Sequence, residues 1–487
     1  MKIENIKTFG ELKRAGYQPK SIKEELRRNL LQKILKKEPS FVGIHGYELT
    51  VIPELERAIL SKHNINLLGL RGQAKTRLAR QMVGLLDEYI PIVEGSEVND
   101  DPFAPISRYA KNLMEEKGDD TPIDWLHRNS RFSEKLATPD VTVADIIGDV
   151  DPIKAANLKL NYADDRVIHF GMIPRSNRCI FVINELPDLQ PRIQVALFNI
   201  LQEGDVQIRG FALRLPLDIQ FVFTANPEDY TNRGSIVTPL KDRIGSQILT
   251  HYPDDITTAR AITEQETAEA MEEKSNIYVP DLARDILEQI SFEARENDFI
   301  DAKSGVSARM SITAFENLIS TAERRGLQNG DEKTTVRLGD FVGVVPAITG
   351  KVELVYEGEQ EGVSQVAQQL IVDAVNTIFL QKFPKIEKLS KQDDQDPYAE
   401  IVAWFFEEND FELLDAYSDS EYKNELDRII PLQQLIDKYQ PETTKEDSYF
   451  LKEVILWALA ENKKLSRMSL GNGLHFRDLY GSFISGL

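Results

Sequence analysis

The chain has a single cysteine in 487 residues, Cys179. One thiol excludes an internal disulfide and points to a reducing compartment, so a cytoplasmic location is expected. Cys179 lies inside an apolar run and reads as a core thiol rather than a nucleophile. No apolar run approaches the ~20 residues of a membrane-spanning helix, so no span is expected. Met1 to Gly10 contain no apolar stretch, and no secretory signal is expected from them. The six histidines are scattered, without the spacing of metal ligands. No internal repeat is evident. Positive charge is scarce: 58 Lys and Arg face 79 Asp and Glu, a net charge of −21. That balance argues against binding to nucleic-acid backbones. The imbalance is concentrated between Asp393 and Asp447, where seventeen acidic residues face four basic ones. This stretch reads as a solvated acidic helical region, or more sharply as a docking surface for a basic partner.

The remaining composition is that of a globular protein, 41% hydrophobic and 28% charged. The length suits about two to four domains. Residues 1–40 read as a helical extension: Ser21 is a candidate cap, a basic helical pattern follows, and Pro39 ends it. Residues 41–253 alternate short apolar runs with helical patterns, the α/β signature. Ile65–Gly69, Cys179–Asn184 and Gln220–Ala225 are the strand candidates. A polar stretch, residues 92–140, shows little periodicity and reads as part of a long insertion spanning about 92–170. Residues 254–384 read as a helical lid, and residues 385–487 as an acidic helical C-terminal region, with a charged break from Pro384 to Pro397.

The densest signal is Leu67 to Ala79. The strand ends at Gly69, and Gly69-Leu70-Arg71-Gly72-Gln73-Ala74-Lys75-Thr76 matches G-x-x-x-x-G-K-[ST] except that Ala74 replaces the last glycine. Backbone N–H groups of such a loop can wrap a phosphate. Lys75 would neutralise the outer phosphates of ATP, and the Thr76 hydroxyl would ligate Mg²⁺. Alanine suits position 74 if the backbone there keeps φ below zero.

Four further elements follow in chain order. The strand through Ile183 ends in Asn184-Glu185. Glu185 suits alignment of an attacking water, while Asn184 stands where a metal-side aspartate is expected and would meet Mg²⁺ through water. Asn226 ends the next strand and can orient the same water. Arg243 follows Lys241-Asp242 and could stabilise charge in a neighbouring subunit. Arg309 opens a helix after Ser307-Ala308 and could reach the γ-phosphate, since guanidinium matches phosphate geometry. Each is weak alone; the ordered set carries the signal.

With these residues in place, the chain resembles AAA+ ATPases, and among them the magnesium chelatase ATPase subunit and its MoxR-like relatives, over about residues 40–350. Val141 to Asp151 resembles the family's segment before its helix-2 insertion. Phe170 to Ile173 and Arg175 to Arg178 resemble the stretch before its acidic strand, and Val206 to Pro216 the hairpin before its sensor strand. Phe41 to Glu48, with Val42 and His45, resembles the segment lying against adenine. The resemblance implies that Asn226 is the first sensor, Arg243 the arginine finger and Arg309 the second sensor. It also implies a P-loop core with a parallel sheet followed by a helical lid, a self-assembled ring (a hexamer), and a partner carrying a von Willebrand factor A domain. The segment Gly95 to Pro102 lacks the cysteines of the family's early insert. The leading expectation is therefore an ATP-hydrolysing motor that remodels a partner protein. The alternatives are a nucleotide-gated scaffold with weak hydrolysis, because of Asn184, and a chelatase ATPase subunit.

Overall fold

Three largely apolar runs and two amphipathic edge segments build one parallel sheet. In this computed structural model, which describes residues 6–159, 167–208, 214–227, 235–386, 396–407, 411–470 and 473–478, the strands are β1 (Ile65–Leu68), β2 (Phe132–Leu136), β3 (Ile180–Asn184), β4 (Gln220–Ala225) and β5 (Ser246–Leu249). Their order is β5-β1-β4-β3-β2, and every neighbouring pair is parallel. The expected α/β class is borne out. Side chains alternate between the faces: Phe181 and Ile183 enter one core, Ile180 and Val182 the other. Burial on both faces explains why β1, β3 and β4 read as largely apolar runs.

The chain divides into two units, Met1–His251 and Tyr252–Leu487. In the first, helix α1 (Ile22–Lys36) starts at a capping box in which Ser21 accepts from the Glu24 N–H and Glu24 reaches back. It ends at Lys37, which takes a left-handed conformation. Ile22, Leu26 and Leu30 pack into the core beside β1. Glu25, on the same face, forms a bidentate pair with Arg131, both bonds 2.7 Å long, with both side chains nearly inaccessible. The Asp87 N–H also donates to Glu25, at 2.6 Å, and Arg131 donates to the Arg178 carbonyl at 2.9 Å. The lone thiol is nearby; burial pushes Cys179 up to about 12, which suits the expected core role.

Asp218 accepts a 2.7 Å bond from the Ile22 N–H. Burial is the largest influence on its carboxyl and raises it to about 6, against the opposing bond from Ile22 and the pull of Arg178. The native carboxyl thus holds its proton at pH values where the unfolded one has lost it. Stability should fall as pH rises from about 4 to about 6, by on the order of 1–3 kcal/mol given the partial exposure of Asp218. Asp218→Asn, which keeps an acceptor for Ile22, should remove that slope. Denaturation midpoints of both proteins at pH 4.5 and 7 check this, and parallel pH profiles would refute it.

Residues 92–140 are not irregular. Tyr89–Val93 pairs with Ile123–His127 as an antiparallel ladder, a helix spans Arg108–Lys117, and β2 is an edge strand of the main sheet. Phe-Ser-Glu-Lys-Leu escapes a periodicity search because an edge strand keeps polar side chains in water. Residues 160–166 of the expected insertion and 209–213 of the expected hairpin lie outside the described residues.

In the second unit, helices α5 (Asp281–Glu296), α6 (Arg309–Asn329), α7 (Val363–Lys382) and α8 (Lys445–Glu461) dominate. To these the structure adds an antiparallel sheet, β6 (Phe411–Leu414), β7 (Leu465–Leu470) and β8 (Gly473–Asp478), in the order β6-β8-β7. Residues 254–386 and the C-terminal region share one hydrophobic cluster, which runs from Ile277 to Phe476. Inside it Arg325 forks onto Asp340 at 2.9 and 2.8 Å. Glu453 accepts from the Leu338 N–H at 2.8 Å and the Tyr422 hydroxyl at 2.9 Å, and burial raises its carboxyl.

Candidate functional site

Because β4 lies between β1 and β3, the carboxyl ends of three adjacent strands converge, the place where open α/β sheets bind ligands. The loop 69–74 leaves β1 there and enters helix α2 (Lys75–Gln81). Lys75 Nζ contacts the Gly69 carbonyl oxygen, the Leu70 carbonyl oxygen at 2.8 Å and Asn226 Oδ1 at 2.9 Å. Thr76 Oγ1 stands 3.5 Å from Asn184 Oδ1. Lys75, Thr76, Asn184 and Asn226, far apart in sequence, are therefore brought together.

Loop shape depends on a few positions. A Cβ on Gly69 would collide with the Thr250 hydroxyl and the Gln73 amide oxygen, so a side chain there would have to break the bond between them. Gly72 takes φ +72°. Ala74 also takes positive φ, +54°, so the condition under which alanine would suit this position is not met. The methyl crowds the carbonyl in that conformation and costs on the order of 1–2 kcal/mol. Buried Gln73 braces the loop: its Oε1 accepts from the Thr250 hydroxyl at 2.7 Å, and its carbonyl accepts from the Tyr47 hydroxyl at 3.1 Å. Tyr47 also bonds the His251 carbonyl at 2.7 Å. Arg71 and Thr76 are exposed, as is Val42, while His45 is half-buried.

Thr224 was not anticipated. From the interior of β4 its hydroxyl donates to Asn184 Oδ1 at 3.2 Å and accepts the Glu185 N–H at 3.1 Å. Glu185 adopts φ +57°, ψ +50°, a conformation that non-glycine residues hold only when neighbours over-determine it. Thr224 thus fixes both the amide and the turn that carries the glutamate. Only the short Thr224-Ala225-Asn226 spacing could have hinted at this.

Arg243 lies elsewhere on the first unit. It ends helix α4 (Thr238–Arg243), which packs against helix α3 (Pro191–Glu203); it pairs with Asp242 and lies 5.7 Å from the Phe198 ring centroid. Arg309 belongs to the second unit, as the first residue of α6, with its N–H 3.2 Å from Ser307 Oγ. Among the described residues, no group of three or more His, Cys, Asp or Glu could hold a metal ion.

No protein-family model and no curated protein matches the chain. Solved structures do. NtrX from Brucella abortus matches at 13% identity over 60% of this chain and 54% of its own, with a TM-score of 0.35; the match thus spans about half of NtrX. The BchI–BchD complex of magnesium chelatase matches at 18% identity over 65% of this chain and 97% of that one, with a TM-score of 0.34. Hsp104 with casein matches at 13% identity over 59% and 46%, with a TM-score of 0.35. At this level the likenesses add nothing to the strand order and loop geometry described above.

Proposed function

We propose that the chain is an AAA+ ATPase that binds Mg²⁺-ATP at the 69–76 loop and hydrolyses it. The observation that supports this most is the convergence of Lys75, Thr76, Asn184 and Asn226 at the ends of β1, β3 and β4. Lys75 would hold the outer phosphates, Thr76 would supply a hydroxyl to Mg²⁺, and Glu185 with Asn226 would orient the water. The Thr76 hydroxyl has an acceptor in Asn184 Oδ1, so its lone pairs are left for a metal. The amide brings no charge of its own, so the phosphates must supply the attraction for Mg²⁺. Val42 and His45 would lie against the base. Arg243, an exposed cation grouped with Asp242, suits completion of a neighbour's site, and on that ground the working form is a ring, as a hexamer. Arg309 would act from the second unit. The motor would remodel a partner protein, one carrying a von Willebrand factor A domain. Its compartment would be the cytoplasm; among the described residues no helix is long and apolar enough to cross a membrane.

Asn184 favours one second reading, a scaffold that binds ATP and hardly turns it over. Steady-state hydrolysis as a function of Mg²⁺ separates the two. Asn184→Asp should lower the Mg²⁺ needed for half-maximal rate and raise turnover about tenfold, equivalent to roughly 1.4 kcal/mol of transition-state stabilisation. If both proteins bind ATP and neither hydrolyses it at any Mg²⁺ concentration, the scaffold is the function.

A further inference from the structure

Ala74 holds φ +54° at the position where the phosphate-loop pattern calls for glycine. An alanine keeps such a conformation only where its surroundings over-determine the backbone. The restraint acts on the peptide link between Gln73 and Ala74. That link is a rigid plane, so its rotation moves ψ of Gln73 and φ of Ala74 together. A flip would return Ala74 to negative φ and relieve its methyl. It would also reverse the Gln73 carbonyl and the Ala74 N–H.

Two bonds hold Gln73 against that flip. Its carbonyl accepts from the Tyr47 hydroxyl at 3.1 Å, and its side-chain Oε1 accepts from the Thr250 hydroxyl at 2.7 Å. Tyr47 is itself fixed. Its hydroxyl also reaches the His251 carbonyl at 2.7 Å, so one proton is shared between two carbonyls. Its ring meets the His251 ring edge-on, with centroids 5.0 Å apart. Its carbonyl accepts from the N–H groups of Thr50 and Ile52 at 3.3 and 3.0 Å, where the helix Val51–Leu60 begins. Tyr47 and Gln73 are both buried, which shields their bond from competing water.

In a trans peptide the carbonyl and the N–H point in opposite directions. A grip on the Gln73 carbonyl therefore turns the Ala74 N–H away from Tyr47. After a flip a carbonyl oxygen would stand in its place, and an oxygen repels a phosphate that an N–H attracts. We propose that Tyr47 is a positioning residue for phosphate binding: through the Gln73 carbonyl it locks the 73–74 peptide and so presents the Ala74 N–H to the phosphate. This rests on the reading of 69–76 as a phosphate loop. Glycine at position 74 would reach the same orientation without strain; in this chain the tyrosine makes up for its absence.

The test is calorimetry on the intact chain, titrating Mg²⁺-ATP into wild type, Tyr47→Phe, Ala74→Gly and the double variant. Phenylalanine keeps the ring and removes only the hydroxyl. Tyr47→Phe should bind ATP about five- to tenfold more weakly, the scale of one net hydrogen bond. Ala74→Gly alone and the double variant should both bind within about twofold of wild type, because glycine holds positive φ without a restraint. A general loss of packing at Tyr47 would not be mended by removing a methyl at position 74. If Tyr47→Phe binds as tightly as wild type, the positioning role is overturned while the phosphate loop stands. If Tyr47→Phe is weakened and the added glycine restores nothing, Tyr47 does not act through Ala74 and the proposal fails. If wild type does not bind ATP, the phosphate-loop reading falls and takes this one with it.

Discussion

Lys75→Ala should bind ATP at least about a hundredfold more weakly than wild type, a loss of roughly 2.7 kcal/mol. The lysine does more than add one charge-assisted contact. Its ammonium holds together the oxygens of Gly69, Leu70 and Asn226. Without it those oxygens face an incoming phosphate with no cation between them, and like partial charges replace an attraction. Calorimetric titration with Mg²⁺-ATP reads the effect. Wild-type affinity in the alanine protein would mean that the loop does not cradle phosphate at all.

The second large effect is on stability. Glu25→Ala should destabilise the first unit by about 3–5 kcal/mol, because it strands a buried guanidinium without its counter-ion. Arg131 has almost no exposed surface, so water cannot replace the carboxylate, and the Asp87 N–H loses its acceptor in the same change. The paired replacement of Glu25 and Arg131 by apolar residues of similar volume should cost far less, since no charge is then left unpaired. Urea midpoints for the single and double variants give the comparison. A single variant within about 1 kcal/mol of wild type would show that the pair does not hold α1 to the sheet.

Much of the first unit was legible in the chain. The central strands are buried on both faces, so they appear as largely apolar runs, and β3 and β4 lead into Asn184 and Asn226. Ser21 announced the start of α1 because a capping box is a local pattern. The edge strand Phe132–Leu136 was not legible, since half of it faces water and its partner lies some fifty residues on. The C-terminal strands 465–470 and 473–478 hid behind polar and helix-compatible residues such as Arg467, Met468 and His475. At the site, Lys75, Thr76, Asn184 and Asn226 could be named from spacing. Thr224, Tyr47 and Thr250 could not, because each acts through a bond to a residue remote in sequence. The sign of the Ala74 φ was not legible for a related reason: it is set by how the whole loop closes, not by its neighbours.

The shared core of residues 252–487 changes what the acidic C-terminal region can be. Phe411, Phe450 and Phe476 are buried in the same apolar mass as helices α5 to α7, and Glu453 is sealed against Leu338 and Tyr422. The region is masonry, not upholstery. Its surface charge is carried on a wall that cannot be unpicked without opening the interior behind it. For anyone grafting this half onto another protein, the transferable cassette begins near Tyr252, and a cut near Pro384 would leave an open hydrophobic face in both pieces.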